Sequence, residues 1–181
     1  MMREILYRLK DRYHLGTPVF QRDDLCFVTV KRFELRAILT ELRDVEGFTH
    51  LTLLTAVDWI EEQQFQLTYM VNNRAANLTL ALRVMLDRED ATGDTIHDLW
   101  PTAATYQREL REMFGITFPG SPRVDEEFIL EGWTDLPPYR RDFDTLAYSQ
   151  QTYNDRPGRE THDPKTHMQK TLYADYPKGA K

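Results

Sequence analysis

Charged side chains with the spacing of a helix face are concentrated in residues 106–120. Glu109 and Glu112 would lie one turn apart on a helix. Two such carboxylates can share general acid and base work when one is desolvated and its pKa rises. Arg108 and Glu112 are four residues apart, and a surface ion pair between them is the simpler interpretation. These residues alone therefore predict a charged helix, with catalysis by Glu109 and Glu112 as the alternative.

The glycines, the cysteine and the histidines of the sequence do not form a known cofactor or metal motif. The eight glycines have neither the spacing of a dinucleotide-binding loop nor that of a phosphate loop. The single cysteine, Cys26, cannot form an internal disulfide or supply the four thiolates of an iron–sulfur cluster, and a small buried hydrophobic role is expected. The histidines are too scattered for a zinc site, at positions 14, 50, 97, 162 and 167. We therefore expect no cofactor and no metal in this chain.

Composition narrows the class of protein further. The 181 residues carry a net charge of -6 with a sequence pI of about 5.4, which argues against nucleic-acid binding. No run of 18 apolar residues occurs, so we do not expect a membrane-spanning helix. A chain of this size with 41% hydrophobic residues can nevertheless form a sizeable core. The combination is typical of a component of a larger assembly.

Hydrophobic periodicity predicts the elements that would position the charged residues. Apolar residues at helical spacing alternate along the chain with apolar runs of period two. They predict helices over 3–14, 31–44 and 102–114 and strands over 25–30, 48–58, 65–71 and 78–86. Thr102 is the expected N-cap of the last helix, and Gly115 is the expected residue after its C-terminus. Because short links join consecutive strands, we expect an α+β fold, a mostly antiparallel sheet with helices packed on it.

The C-terminal part has a different texture. Residues 116–144 are rich in proline and aromatic residues and are expected to be irregular but packed. We therefore predict an α+β domain over 1–144 and an irregular, extended C-terminal tail over 145–181. The tail is expected to wrap on a partner subunit through its larger side chains, which are Tyr148, Tyr153, Met168, Leu172, Tyr173 and Tyr176.

The stretch from Tyr106 to Gly120 resembles the signature of the 30-kDa subunit family of respiratory complex I, known in bacteria as the C subunit. Further segments of the same family occur in matching order over residues 50–145. The residues taken as family signature or interface are Tyr106, Arg108, Glu109, Glu112, Phe114, Gly115, Gly120, Pro122, Arg140, Arg141 and Asp142. The chain departs from the pattern at Gln107 and Glu112, where the family has glutamate and aspartate, and at Ser121, where it has histidine.

The resemblance implies a cofactor-free, non-catalytic subunit in the peripheral arm of a complex I-type oxidoreductase of the NADH- or ferredoxin-quinone type. Its expected partners are the large quinone-site subunit and the subunits that carry iron–sulfur clusters, with flavin or nickel–iron elsewhere in the complex. The expected location is the cytoplasmic face of the inner (cell) membrane, as a peripheral subunit. For Arg108, Glu109, and 140–142, pairing with a partner and bracing within the chain are both open.

Two alternatives remain from the sequence. The chain could be the equivalent subunit of a membrane-bound hydrogenase, a formate hydrogenlyase or an F420-linked complex, whose electron donors and acceptors differ. From another class, it could be a free-standing enzyme that uses Glu109 and Glu112.

Overall fold

The computed structural model describes residues 1–153, and the chain divides into two units, Met1–Phe143 and Asp144–Lys181. Within the described part, the first unit contains three α-helices, a short 3₁₀-helix and five strands. The helices are α1 (Met2–Lys10), α2 (Arg32–Asp44) and α3 (Ala103–Phe114), and the 3₁₀-helix is Ile60–Glu62. The strands are β1 (Val19–Arg22), β2 (Leu25–Thr29), β3 (His50–Trp59), β4 (Gln64–Asn73) and β5 (Leu78–Asp87).

The strands form one sheet in the order β1-β2-β5-β4-β3. The pairs β1–β2, β3–β4 and β4–β5 are antiparallel, and β2–β5 is parallel. The prediction of an α+β fold with a mostly antiparallel sheet is therefore confirmed. The parallel pair β2–β5 was not predicted. The two strands are neighbours in the sheet, but α2, β3 and β4 lie between them in the sequence, and the prediction considered only strands joined by short links.

The period-two alternation of the strands gives the sheet two different faces. The inner face carries the apolar residues that are almost fully buried, namely Cys26, Val28, Leu54, Ala56, Phe65, Leu67, Tyr69, Val71, Leu80, Leu82, Val84 and Leu86. The buried apolar residues of the three helices belong to the same core as these strand residues. Phe114 of α3 contacts Phe65, and the Arg3 guanidinium of α1 lies over the Phe20 ring. The expectation that Cys26 is a small buried hydrophobe is confirmed, and its burial raises the pKa of the thiol.

Two helix ends differ from the sequence prediction. α1 ends at Lys10 rather than at residue 14, although Tyr13 still reaches the core side and its hydroxyl donates to Glu41 at 3.0 Å. Thr102 precedes α3 but its side chain makes no capping hydrogen bond. The first turn is instead closed by backbone bonds, from Ala103 N–H to the Trp100 carbonyl and from Ala104 N–H to the Pro101 carbonyl.

The second unit begins with a helix, although the sequence predicted an extended arm from residue 145 onward. This helix, α4 (Thr145–Thr152), starts at Asp144, whose carboxylate accepts the N–H groups of Leu146 and Ala147 at 3.0 and 2.9 Å. An aspartate at this position satisfies N–H groups that would otherwise lack partners, which explains the local helix. Of the proposed tail anchors, Met168, Leu172, Tyr173 and Tyr176 lie outside the described residues.

Among residues 1–153, no helix is long and apolar enough to cross a bilayer.

Tyr69 provides a test of the core. Its side chain is fully buried, burial raises the pKa of the phenol, and the hydroxyl has no hydrogen-bond partner among the described residues. An unpaired buried hydroxyl costs free energy, so Tyr69→Phe is expected to raise the free energy of unfolding by about 1 kcal/mol. Tyr106→Phe is the matched control, because that hydroxyl donates to the Thr52 carbonyl at 2.9 Å and its loss should destabilise. Urea unfolding measures the free energy of unfolding of both variants. A Tyr69→Phe variant less stable than Tyr106→Phe would contradict the prediction.

Candidate functional site

Helix α3 presents its apolar side to the sheet and its charged side to the segment that follows it. Leu110, Met113 and Phe114 are buried, as the spacing predicted. Gly115 adopts the left-handed conformation with φ of 79°, which ends the helix and confirms the predicted C-terminal glycine. Residues 116–143, here called the loop segment, then return along the helix.

Glu112 holds the loop segment through three backbone N–H groups. Its Oε1 accepts the N–H of Phe128 at 2.7 Å, and its Oε2 accepts those of Ile129 and Leu130 at 2.8 and 3.2 Å. Consecutive N–H groups that point to one place form a concave anion-binding nest, and here a carboxylate of the same chain fills it. The predicted surface ion pair between Arg108 and Glu112 is therefore wrong: helical spacing allowed it, but the loop offers the carboxylate three donors.

Arg108 also contacts the loop segment rather than its helical neighbour. Its Nη2 donates to the Glu127 carbonyl at 2.8 Å, and its guanidinium carbon lies 5.0 Å from the centre of the Phe128 ring. A planar guanidinium is suited to this combination of hydrogen bonding and stacking. Together, Arg108 and Glu112 fix residues 127–130 against α3.

A second set of contacts joins the end of α3 to the end of the loop segment. The Phe114 ring makes edge-to-face contacts with Phe65 of β4 at 6.0 Å and with Tyr139 at 5.7 Å. The Tyr139 N–H donates to the Met113 carbonyl at 3.0 Å. A Cβ added at Gly115 would lie 3.4 Å from Pro137, an ordinary contact distance, so the positive φ and not crowding by the loop favours glycine here.

A charged cluster of Asp58, Arg88 and Asp142, here called the Arg88 cluster, fastens the same region to the sheet. Asp58 and Arg88 are buried, and Asp142 lies at the surface with 37% of its side chain exposed. Arg88 is 8% and Asp58 only 1% exposed, and they form a two-bond pair at 2.9 and 3.1 Å. Arg88 also donates to Asp142 at 2.6 Å. Desolvation alone would raise the pKa of Asp142. The hydrogen bond from Arg88, a backbone hydrogen bond and the positive charges of Arg88 and Arg140 together outweigh it, and the pKa is lowered. Each carboxylate thus helps to neutralise the buried guanidinium.

The two neighbouring arginines reinforce this attachment. The backbone N–H of Arg141 donates to Asp58 at 2.9 Å, and its side chain pairs with Glu61 in a more exposed position. Arg140 lies 3.5 Å from Asp142 and its guanidinium is 5.6 Å from the Phe65 ring centre. Arg140, Arg141 and Asp142 are therefore engaged within the chain, which is the bracing alternative left open by the sequence.

The remaining signature residues have local roles. Tyr106 binds the Thr52 carbonyl of β3 through its hydroxyl. Gly120 is left-handed with φ of 81°, which starts the turn that places Pro122 at the surface. Glu109 is half-buried and shows no hydrogen bond or ion pair to the described residues. The structure thus brings together Arg108, Glu112 and the loop segment, whereas Glu109 does not join them.

The chemistry available at this site is limited by these internal bonds. A groove of about 280 Å³ lies between α3 and the loop segment, and Arg108, Glu112 and Trp133 line it. Both oxygens of Glu112 already accept N–H groups, so this carboxylate acts as a structural acceptor. Among the described residues, no group of three histidine, cysteine, aspartate or glutamate side chains is arranged to hold a metal ion. The arrangement is suited to holding a loop in one shape.

Sequence reasoning missed Asp58 and Arg88, which lie 30 residues apart and meet only in the folded chain. A signal for Asp58 existed: it follows Leu54 and Ala56 at the inward-facing positions of β3. A charged residue at an inward position of a strand indicates a buried partner.

The surroundings of Gln107 explain why this chain has glutamine where the family signature has glutamate. Its side chain is fully buried, its Oε1 accepts from the Thr95 hydroxyl at 2.9 Å, and its Nε2 has no partner among the described residues. A carboxylate would be strongly desolvated here. The neutral amide therefore suits this chain better than the family's glutamate.

Gln107→Glu is accordingly expected to lower the free energy of unfolding at pH 7 by about 3 kcal/mol, since burial would raise the carboxyl pKa by roughly two units. Because the pKa of the introduced carboxyl is higher in the folded than in the unfolded chain, the variant is destabilised at pH values above the unfolded pKa. The loss of stability should therefore shrink as the pH falls towards about 4. Gln21→Glu, at an exposed position of β1, is the control. Urea unfolding between pH 4 and 7 measures both, and a loss that does not depend on pH would contradict the explanation.

Comparison with known proteins agrees with the class that this fold defines, a sheet covered by helices on one face and fastened to a long C-terminal loop. Residues 28–149 match the family model for the 30 Kd subunit of the respiratory-chain NADH dehydrogenase. The chain belongs to this family.

Individual relatives show the extent of the likeness. The chain is 30% identical over 120 residues to the NADH-quinone oxidoreductase C subunit of Moorella thermoacetica, which covers 66% of this chain and 80% of the relative. It is 34% identical over 140 residues to the C subunit of Rhodobacter capsulatus, which covers 76% and 69%. Other relatives of the same name differ in length, and the chain spans 44% of one of them.

A solved structure shares the fold. It is a chain from the membrane-bound sulfane sulfur reductase, described as an archaeal respiratory membrane complex, with a TM-score of 0.72 at 24% identity over 88% of this chain and 99% of that chain. The chain thus is a complex I-type subunit, and its fold also occurs in a chain of another respiratory membrane complex.

Proposed function

We propose that this chain is a cofactor-free structural subunit in the peripheral arm of an NADH- or ferredoxin-quinone oxidoreductase. In this role it supports assembly and packs against the large quinone-site subunit, close to the subunits that carry iron–sulfur clusters. The proposed location is the cytoplasmic face of the membrane. The observation that carries the proposal is the family match over residues 28–149, in which the signature residues serve to hold the loop segment.

The geometry of the signature supports an assembly role over a catalytic one. Arg108 and Glu112 form hydrogen bonds with backbone groups of the loop segment, and Asp142 forms one with Arg88. Such bonds order a long loop before any partner arrives, so less conformational entropy is lost when the complex forms. We propose that the signature residues from Tyr106 to Asp142 preorganise an interface, with Glu109, Gly120 and Pro122 closer to the partner. The tail over 145–181 is proposed to wrap on a neighbouring subunit.

A second candidate keeps the role and changes the complex. The likeness to a chain of the sulfane sulfur reductase favours a related membrane complex, such as a hydrogenase-type or F420-linked one. The two candidates differ in the large partner subunit. Two cysteine pairs on that partner, placed to bind nickel, would indicate the hydrogenase branch.

The test is purification of the native membrane complex through an affinity tag on this chain. We expect the large subunit and iron–sulfur subunits in stoichiometric amount by mass spectrometry, and no visible absorption from the isolated chain. Recovery of the tagged chain without membrane partners would overturn the proposal. Flavin, iron or zinc bound by the isolated chain, or turnover by it, would instead support the enzyme alternative.

A further inference from the structure

The face of the sheet opposite the helices has the character of an interface. It is formed by the strand residues that alternate with the inner ones, and we call it the outer face. Its members are Val19, Phe27, Thr29, Leu53, Thr55, Val57, Trp59, Gln66, Thr68, Met70, Ala81, Arg83 and Met85. Towards its edges Val19, Val57 and Trp59 are 53%, 42% and 37% exposed, whereas Ala81 and Thr68 near its centre are buried between their neighbours. Apolar and aromatic groups on an exposed sheet face are typical of a surface that becomes covered.

Arg83 occupies the middle of this outer face. It lies near the centre of β5, which is the third strand of the five in the sheet formed by residues 1–153. Its guanidinium carbon is 4.3 Å from the centre of the Phe27 ring. Its cross-strand neighbours are uncharged, Thr68 on β4 and Thr29 on β2.

Among residues 1–153, no hydrogen-bond acceptor is found for the Arg83 guanidinium. Its Nε is buried without a hydrogen-bond partner, and no carboxylate of the described residues pairs with it. Asp87, which β5 places on the same face, is four residues away and about 13 Å along the strand. That carboxylate already accepts the N–H groups of Glu89 and Asp90. An unpaired, partly desolvated guanidinium is costly, and a carboxylate binds it with two parallel hydrogen bonds.

The size of the outer face suits a stable protein contact. Strands of these lengths, about 4.8 Å apart, give a surface of roughly 600 Å², which approaches the share of about 800 Å² per partner in standard interfaces. A second copy of the chain is disfavoured as the occupant. A two-fold interface centred on this face would place Arg83 opposite its own copy, and like charges in contact repel.

We propose that the outer face docks a partner subunit of the complex, with an aspartate or glutamate of the partner seated on Arg83 and apolar side chains around it. The proposal rests on the proposed function, since it needs a multisubunit assembly. Stacking on Phe27 holds the guanidinium in place, so the carboxylate meets an oriented donor. The surrounding apolar contacts exclude water and strengthen the pair.

Charge reversal in the native complex tests the pair. Arg83→Glu is compared with Arg74→Glu, which makes the same charge change in the exposed β4–β5 turn. We expect Arg83→Glu to reduce the amount of this chain in the purified complex at least tenfold, with Arg74→Glu close to wild type. Thermal unfolding of the isolated chains establishes that both variants are folded. Equal incorporation of the two folded variants would overturn the proposal.

A second experiment, which keeps Arg83 intact, tests whether the outer face is covered in the complex even if Arg83→Glu fails to fold. The native Cys26 is fully buried, so maleimide labelling of a Val57→Cys variant reports the outer face. We expect labelling to be at least tenfold slower in the assembled complex than in the isolated chain. Equal rates would overturn the proposal, and slow labelling already in the isolated chain would show that the chain covers its own face. A wild-type chain without membrane partners would instead contradict the proposed function itself.

Discussion

Replacing Arg88 by methionine is expected to lower the free energy of unfolding by about 3 to 5 kcal/mol at pH 7, the usual cost of breaking a buried ion pair. Methionine retains much of the aliphatic volume but leaves Asp58, which is 1% exposed, without its counter-charge. Asp58 would keep the N–H of Arg141, and Asp142 would lose its 2.6 Å bond. Chemical unfolding of the isolated chain measures the loss.

The loss should depend on pH in a defined direction. In the wild type, Arg88 lowers the pKa of Asp142 despite burial, so this carboxylate contributes stability above its unfolded pKa of about 3.9. That contribution disappears as the pH falls through the lowered folded pKa. The difference between variant and wild type is therefore expected to be constant from pH 7 to about 4 and to shrink below about pH 4, where the wild type loses this contribution.

Arg141→Met is the matched control for Arg88→Met. The Arg141 side chain is about half exposed and pairs with an exposed Glu61, so its removal should cost less than about 1 kcal/mol. Its backbone N–H remains available to Asp58. Equal losses for the two variants would show that the pair between Arg88 and Asp58 is not what fastens residues 139–143 to the sheet.

The sequence predicted the elements with strong periodicity and missed those defined by long-range contact. α2, α3 and the long strands emerged because their apolar residues repeat regularly. β1 did not, since it is four residues long and has one inward apolar residue, Phe20. The parallel pairing of β2 with β5 joins strands that are far apart in the sequence, so no local pattern predicts it.

The same distinction separates the correct from the incorrect predictions at the candidate site. Gly115 was predicted because the geometry of a helix end is local. Arg108 and Glu112 were assigned to each other because helical spacing considers only neighbours on the helix. Their actual partners lie 16 to 19 residues further along, in backbone groups that any sequence would supply. Side-chain to backbone contacts of this kind leave no trace in residue types, so the loop segment could be predicted as packed but not positioned.

Glu112→Ala is expected to release residues 128–130 while leaving the domain folded. Hydrogen bonds to a charged group contribute about 1.5 to 3 kcal/mol each, and three N–H groups lose their acceptor together. Water replaces part of this in an exposed loop, so we expect a local loss of about 3 kcal/mol. Amide hydrogen exchange at 128–130 should then become about 100-fold faster, since 1.4 kcal/mol corresponds to a factor of ten.

Glu112→Gln is the informative companion, because it retains one acceptor oxygen in the same place. It should show an intermediate exchange rate at 128–130, whereas Glu109→Ala, on the same helix, should leave the rate unchanged. The strands carry most of the core, so exchange in β4 and β5 is expected to stay slow in all three variants. If the complex assembles through a preorganised loop segment, the incorporation of these variants should follow their exchange rates. Uniformly faster exchange across the sheet would show instead that Glu112 stabilises the whole domain. The prediction that Glu112 orders residues 128–130 locally would then be contradicted.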